Sequence, residues 1–251
     1  MTTTTTRPLA GKTALVTGAS RGLGAGLATE LAAQGAKVAI TYWSSPERAA
    51  QVVTAIQDAG GEAVAIRADN STADGAREGV REAAAKLGSL DILVNSAGAG
   101  WFEPFQDATD EHIEHTININ IRGTVYATQE AINHLSDGGR IITIGSVTAE
   151  SLPFPGAAIY GMTKAALVAL TKGLARDLAS RKITANIVQP GPIDTEGNPA
   201  GGPAGELLAG LTAAGRFGTV EEVGPLVAWI ASDQAAYMTG STVTIDGGWT
   251  A

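Results

Sequence analysis

Tyr160 and Lys164 stand four positions apart in the stretch YGMTK. A free phenol titrates near pH ~10 and is a weak acid or base at neutral pH. On a helix, four residues advance ~6 Å and return to nearly the same face, so the phenol and the ammonium point the same way. A nearby cation favours phenolate, and each tenfold change in the ionisation constant is worth ~1.4 kcal/mol. The spacing predicts a tyrosine tuned downward toward working pH, where a general acid or base is most effective. A solvated helix face carries i,i+4 pairs of the same kind, so the reading depends on what accompanies the pair. Ser146 ends the apolar run IITIGSV (141–147). Active groups in parallel sheets gather at such strand ends, and a hydroxyl there can polarise a carbonyl. Asn120 lies in INIRGTVY (119–126), an apolar stretch where a buried amide needs a reason. It can hold a water that relays protons to the lysine.

A second chemistry-bearing stretch is TGASRGLG (17–24). Gly18, Gly22 and Gly24 allow a tight turn, close approach of a phosphate and close helix packing. The helix that follows offers free N–H groups and a positive dipole end to an anion. The spacing departs from G-x-G-x-x-G, and a glycine loop by itself also reads as a plain turn. Its position directly after a buried first strand favours a dinucleotide. At the end of the second strand an acidic residue usually holds a ribose 2′-hydroxyl, whereas a 2′-phosphate excludes the acid and needs a cation. The segment ITYWSS (40–45) contains no acid, Arg21 stands in the glycine loop, and Ser44 and Ser45 can donate hydrogen bonds. The predicted cofactor is NADP(H).

These groups need rigid elements to hold them. Apolar runs predict strands over 12–18, 37–42, 62–68, 90–98, 139–146, 183–191 and 241–248. Helices are predicted over 22–35, 45–60, 72–88, 109–136, 159–179 and 220–232, the last despite Pro225. Gly35 is a plausible helix terminator, and Pro46 sits near a helix start, where its missing N–H costs least. Strands apolar on both faces and separated by helices indicate a parallel sheet covered on both sides. Right-handed crossovers make it a doubly wound, Rossmann-like α/β sheet of about seven strands. Residues 8–251 read as one dinucleotide-binding catalytic domain behind a frayed tail at 1–7. Residues 191–215, rich in glycine and small side chains, read as a mobile substrate loop with a short helix near 207–211.

The composition narrows the function classes. The chain has 251 residues, 44% hydrophobic and 17% charged, which permits a buried core and argues against disorder. A formal net charge of −8 without a basic cluster argues against a nucleic-acid partner. The absence of cysteine removes disulfides and thiolate chemistry and suits a reducing, cytoplasmic compartment. Neither the apolar core of a signal peptide nor a run approaching a membrane span is expected.

The motifs together resemble those of the short-chain dehydrogenase/reductase family in its compact form, over nearly the whole chain after residue 7. TGASRGLG is similar to the family's cofactor loop. NSAG (95–98) is similar to its structural motif, with Ser96 where a second asparagine is commonest. INIRG, IGS and YGMTK carry Asn120, Ser146, Tyr160 and Lys164, and PGPIDT (190–195) and IDGG (245–248) complete the set. The resemblance implies an active tetrad of Asn120, Ser146, Tyr160 and Lys164. It implies cofactor contacts from Gly18, Ser20, Arg21, Gly22, Leu23 and Gly24, then Tyr42 and Ser44, Asp69 and Asn70, and Asn95, Ala97 and Gly98. Tyr160, Lys164, Pro190, Gly191, Ile193 and Thr195 complete that implied set. It points most to 3-oxoacyl-[acyl-carrier-protein] reductases and related ketoreductases. The expected reaction is NADPH-dependent reduction of a small-molecule carbonyl. Tyr160 would protonate the oxygen, Ser146 hold it, and Lys164 hold the ribose. A 3-oxoacyl thioester substrate and oxidation of a secondary alcohol are the alternatives. A homotetramer with twofold axes is expected, built on 109–136, 159–179 and the last strand.

Other residues fit blander roles. His112 and His115 lie on one helix face near Glu111, but no third ligand is apparent, so they read as a solvated face and no metal is expected. Asp69 and Asn70 are as consistent with a strand-end turn as with an adenine contact. Trp101 and Phe102 can wall an apolar substrate pocket or belong to the core, with 152–154 and 156–159 on the other side. A non-catalytic NADP sensor shares the same fold, since fold does not dictate chemistry, but the intact tetrad argues against it.

Overall fold

A computed structural model describes residues 7–251. The tail expected over 1–7 lies outside the described residues except for Arg7. Seven strands form one sheet: Thr13–Val16 (β1), Lys37–Tyr42 (β2), Glu62–Arg67 (β3), Leu90–Asn95 (β4), Leu135–Ile144 (β5), Thr184–Pro190 (β6) and Thr242–Ile245 (β7). Their order is β3-β2-β1-β4-β5-β6-β7, and every neighbouring pair is parallel. The helices are Gly22–Ala33 (α1), Pro46–Asp58 (α2), Ala73–Leu87 (α3), Asp110–Ile117 (α4), Thr124–Ile132 (α5), Ala158–Asp177 (α6), Gly205–Gly210 (α7) and Val220–Ala231 (α8).

The sheet is buried on both faces, as its continuous apolar strands require. One core gathers Leu27 and Leu31 of α1, Ala49 and Ile56 of α2, and Val223 and Val227 of α8 against Val16, Ile40 and Val94. The other gathers Val80 and Ala83 of α3, Ala127 and Ala131 of α5, and Leu178 against Leu15, Leu93 and Ile141. The chain winds one way through β1, β2 and β3 and the other way through β4 to β7. The crevice beyond the carboxyl ends of β1 and β4 is therefore the place where such sheets bind ligands.

Two elements differ from expectation. The helix predicted over 109–136 is divided: α4 passes through a π-helical turn, Asn118–Gly123, into α5. Such a turn inserts an extra residue and re-aims the side chains within it. Gly123 is pressed against a neighbour here, since a Cβ on it would lie 2.1 Å from the Asn70 carbonyl oxygen. β5 begins at Leu135 rather than near 139, because Leu135 already pairs with Leu90 before the register shifts and resumes at Ile92 and Arg140. Residues 136–139 form the excess, with Gly138 at φ 80°. Arg140 is 5% exposed, and its guanidinium donates to the carbonyls of Gly138, Gly139 and Ser232 and to Asp233. That set of acceptors makes its burial tolerable and fastens β5 to the end of α8.

The contact between α1 and α8 is unusually close. A Cβ on Gly26 would lie 1.8 Å from Val220 Cγ1, and one on Gly224 would lie 3.1 Å from Glu30 Cβ. α8 starts on a capping box made by Thr219 and Glu222, which fixes Val220 in place. The segment after β6 contains a turn at Thr195 and Asn198 and then α7.

Candidate active site

The glycine loop is held by threonines. Thr17 Oγ1 accepts from the Ser96 and Ala97 amides at 3.0 and 3.1 Å, and Thr41 Oγ1 accepts from the Gly18 amide at 3.0 Å. Gly18 has φ 64° and Gly22 φ 57°, which side chains rarely adopt. A Cβ on Gly18 would lie 2.6 Å from Ala97 Cα, and one on Gly24 3.1 Å from Ser96 Oγ. The loop and NSAG thus fit together as backbone surfaces. At the start of α1 no side chain caps the helix, and its first turn carries no acid. Its N–H groups and dipole stay available to an anion. Leu23 packs against the core just behind. These features fit the phosphates of a dinucleotide.

Near the end of β2, Tyr42 is partly buried, and Ser44 and Arg21 are exposed beside the glycine loop. Trp43, absent from the sequence reading, lies under the Arg67 guanidinium at 4.6 Å. Asp69 is engaged in a turn, accepting from the Ser71 amide at 2.9 Å and hydroxyl at 2.6 Å. Asn70 packs on Gly123. After β6, the Gly191 amide donates to Ile245, Ile193 is buried and bridges to Gly218, and Thr195 rests near Gly22.

Tyr160 and Lys164 sit on the first turns of α6, and Ser146 follows β5. Lys164 is 5% exposed; its Nζ donates to the Ile144 carbonyl at 2.9 Å and lies 5.6 Å from the centre of the Tyr160 ring. A Cβ on Gly98 would lie 3.4 Å from Asn120 Oδ1 and 3.5 Å from Lys164 Nζ, so β4 ends against both. Ser146 Oγ accepts from the Thr148 hydroxyl at 2.9 Å and from its amide at 3.2 Å. With its lone pairs taken, the Ser146 hydroxyl keeps its own proton to donate.

The electrostatics correct one expectation. Lys164 does not bring the Tyr160 phenol down. Burial pushes Tyr160 up, and the Ser146 side chain opposes this in part. Burial also lowers the Lys164 ammonium to about 8. The ammonium is spent on the Ile144 carbonyl, while the phenol loses water, and desolvation disfavours a charged phenolate. In the cofactor-free chain Tyr160 is a proton holder at neutral pH.

Asn120 is also more fully occupied than the sequence suggests. Its Oδ1 accepts from the Ala99 amide at 2.9 Å, and its Nδ2 donates to the Ala99 carbonyl at 2.8 Å and to Thr163 Oγ1 at 2.9 Å. The amide therefore ties the π turn to the strand-end loop and to α6. Asn95 Nδ2 reaches Thr128 at 2.9 Å.

The aromatic side chains divide between two places. Phe102 lies 5.4 Å from the Tyr160 ring and 6.3 Å from Phe154, which meets Trp249 at 6.0 Å. Those rings form an apolar wall beside the phenol. Trp101 turns away and stacks on His112 at 4.6 Å, with His115 edge-on at 4.9 Å. His112 Nδ1 is 2.8 Å from Glu103 Oε1. The histidines are therefore packed against the segment that follows β4 rather than lying on a purely solvated face. Among the described residues no group of three His, Cys, Asp or Glu side chains could hold a metal, and no helix is long and apolar enough to cross a membrane.

The sequence reading missed Thr17, Thr41, Thr148, Thr163 and Trp249. Thr17, Thr41 and Thr163 lie inside stretches already singled out, TGASRGLG, ITYWSS and YGMTK, and Thr148 and Trp249 lie next to others, so their positions gave a signal while their partners did not.

Comparison with known proteins agrees with this geometry. Residues 18–250 match the family model described as enoyl-(acyl carrier protein) reductase. An uncharacterized oxidoreductase of Methylorubrum extorquens is 45% identical over 96% of this chain and 98% of its own. The cyclic-di-GMP-binding biofilm dispersal mediator protein of Escherichia coli is 42% identical over 94% of this chain and 96% of its own. A crystal structure of a short chain dehydrogenase from Burkholderia cenocepacia in complex with NADP superposes with a TM-score of 0.95. It is 45% identical and covers 97% of this chain and 100% of that one.

Proposed function

The chain belongs to the short-chain dehydrogenase/reductase family of oxidoreductases, and from that premise we propose that it is an NADPH-dependent carbonyl reductase. One observation carries the reading: a Ser146 hydroxyl with a proton to give stands beside a partly buried phenol that retains its own. Bound dihydronicotinamide would supply the hydride. Ser146 would donate a hydrogen bond to the carbonyl oxygen, and Tyr160 would deliver its proton to that oxygen. Lys164, anchored on the Ile144 carbonyl, would hold the ribose. Asn120 keeps the π turn seated against the strand-end loop and α6. Phe102, Phe154 and Trp249 offer an apolar wall beside the phenol. A 3-oxoacyl thioester, or a secondary alcohol oxidised in reverse, fits the same groups. A panel of ketones assayed by NADPH consumption tests the reading, and no consumption with any of them would count against it.

The NADP preference rests on Arg21 at the start of α1 and on the acid-free end of β2, and the NADP complex of the Burkholderia relative supports it. Catalytic efficiency is expected to favour NADPH over NADH. Arg21→Ala should cost roughly 10- to 100-fold with NADPH, the range for a lost hydrogen bond to a charged group, and little with NADH. Equal or better turnover of the unaltered enzyme with NADH would refute the assignment.

The proposal includes a homotetramer. Trp229 on α8 is 42% exposed and Tyr237, just after it, fully exposed, as faces awaiting a second copy would be. Light scattering at micromolar concentration should return four times the monomer mass, and a monomer mass would contradict it. A second reading, a nucleotide-binding regulator, is favoured by the name of the Escherichia coli relative. The uncapped amino end of α1 suits a phosphodiester too. Ketone-dependent NADPH consumption separates the two readings.

A further inference from the structure

The geometry points to Arg48 and Glu196 as a clasp that holds the loop after β6 across the amino end of α1 and slows release of a bound dinucleotide. Arg48 Nη2 on α2 lies 2.7 Å from Glu196 Oε1. The two residues belong to opposite sides of the phosphate seat: α2 follows β2, and Glu196 lies beyond β6. The intervening residue Thr195 rests on the seat itself, since a Cβ on Gly22 would sit 3.7 Å from Thr195 Cβ.

The tip that Glu196 occupies is preformed. Thr195 and Asn198 exchange backbone hydrogen bonds at 3.3 and 3.0 Å. Asn198 Nδ2 donates to the Ile193 carbonyl at 3.3 Å, and Asp194 Oδ1 accepts from the Ala200 amide at 2.9 Å. The root of the segment is fixed by buried Ile193 and its bridge to Gly218. A rigid tip on a fixed root needs one tie to the far side to stay across the seat, and the ion pair supplies it. Together they border a cleft of about 340 Å³ shared with Ser20, Arg21, Gly22 and Gln51.

The charges fit this role. A lone carboxylate in that cleft would repel a phosphate, but Arg48 cancels it and leaves Arg21 as the net positive charge. The two side chains are 41% and 58% exposed, so the pair is weak. A weak tie suits a segment that must open for exchange of cofactor.

This inference rests on the dinucleotide reading above, so its test has one arm that needs no cofactor. In the cofactor-free protein, amide hydrogen exchange over 194–199 should quicken about two- to fivefold in Arg48→Ala and in Glu196→Gln, the range for an exposed pair. The charge-reversed double variant Arg48→Glu/Glu196→Arg should restore it. NADPH release followed by stopped-flow fluorescence should quicken by a similar factor in each single variant and recover in the double. Unchanged exchange and release in both single variants would overturn the clasp. So would tighter NADPH binding by Glu196→Gln together with weaker binding by Arg48→Ala, which would make Arg48 a phosphate ligand held back by Glu196. Should the unaltered protein bind no NADPH, the dinucleotide reading fails, while the exchange arm still decides whether the pair holds the loop.

Discussion

Replacing Tyr160 with phenylalanine is expected to lower ketone reduction by at least ~10²-fold, the lower end for losing a positioned general acid. The ring remains, so its contacts with Phe102 and the backbone of Gly100 survive. The fold and NADPH affinity should be nearly unchanged. Ser146 still polarises the carbonyl in that variant, but an aliphatic hydroxyl is a far weaker acid than a phenol and does not replace the lost proton. Ser146→Ala should lower turnover too, and the double variant should be no worse than the tyrosine change alone, because the groups act as one unit. Single-turnover kinetics with saturating NADPH measures the step directly. Near-normal ketone reduction by Tyr160→Phe would mean that the proton comes from elsewhere.

Lys164→Met should make the protein inactive yet more stable. The ammonium is buried without a carboxylate partner, and its pKa falls from 10.5 to about 8. At ~1.4 kcal/mol per tenfold, that is about 3 kcal/mol of charge burial. Methionine removes the charge and fills similar space, at the loss of one hydrogen bond to Ile144 worth about 1 kcal/mol. The expected gain at pH 7 is therefore roughly 1–3 kcal/mol. The pH dependence follows from proton counts. Below pH 8 the lysine is protonated whether folded or unfolded, and the penalty is complete. Between pH 8 and 10.5 the unfolded chain binds the proton more than the folded one, so stability of the unaltered protein rises with pH. The advantage of Lys164→Met should shrink across that window. Tyr160 is present in both proteins and largely cancels in the comparison. Urea unfolding of the cofactor-free proteins at pH 7 and pH 10 reads the difference. A variant less stable at pH 7 would show that the ammonium is a net support of the fold.

The alternation of strands and helices could be read from the chain because parallel strands are apolar on both faces and leave no ambiguity of period. β4 and β6 illustrate it: Leu90–Asn95 and Thr184–Pro190 are buried almost throughout. The π turn could not be read, since one extra residue in NINIRG does not disturb an apolar pattern that short. The early start of β5 was masked by Ser136, Asp137 and two glycines, which look like a turn and are in fact the excess residues of a shifted register. That Ser146 follows β5 and that Tyr160 and Lys164 share a face of α6 was legible from the strand end and the four-residue spacing, whereas the meeting of Asn120 and Lys164 at Gly98 comes from the fold. The partners of those residues were not legible. Thr148 and Thr163 are ordinary threonines in sequence, and only the fold makes one the donor to Ser146 and the other the acceptor for Asn120. The direction of the Tyr160 shift was misread for a related reason. Spacing shows the lysine four residues on, but burial belongs to the assembled structure.

The tight seam between α1 and α8 bears on how the chain is made. The anion-binding helix is synthesised early, yet Gly26 finds its neighbour Val220 only near the end of the sequence. Leu27 and Leu31 share their core with Val223 and Val227. Until residues 220–231 have left the ribosome, α1 carries an uncovered oily flank and an unbraced glycine loop. A nascent chain can build β1 to β4 in order, but its nucleotide seat is completed from the far end, almost as the last act of translation.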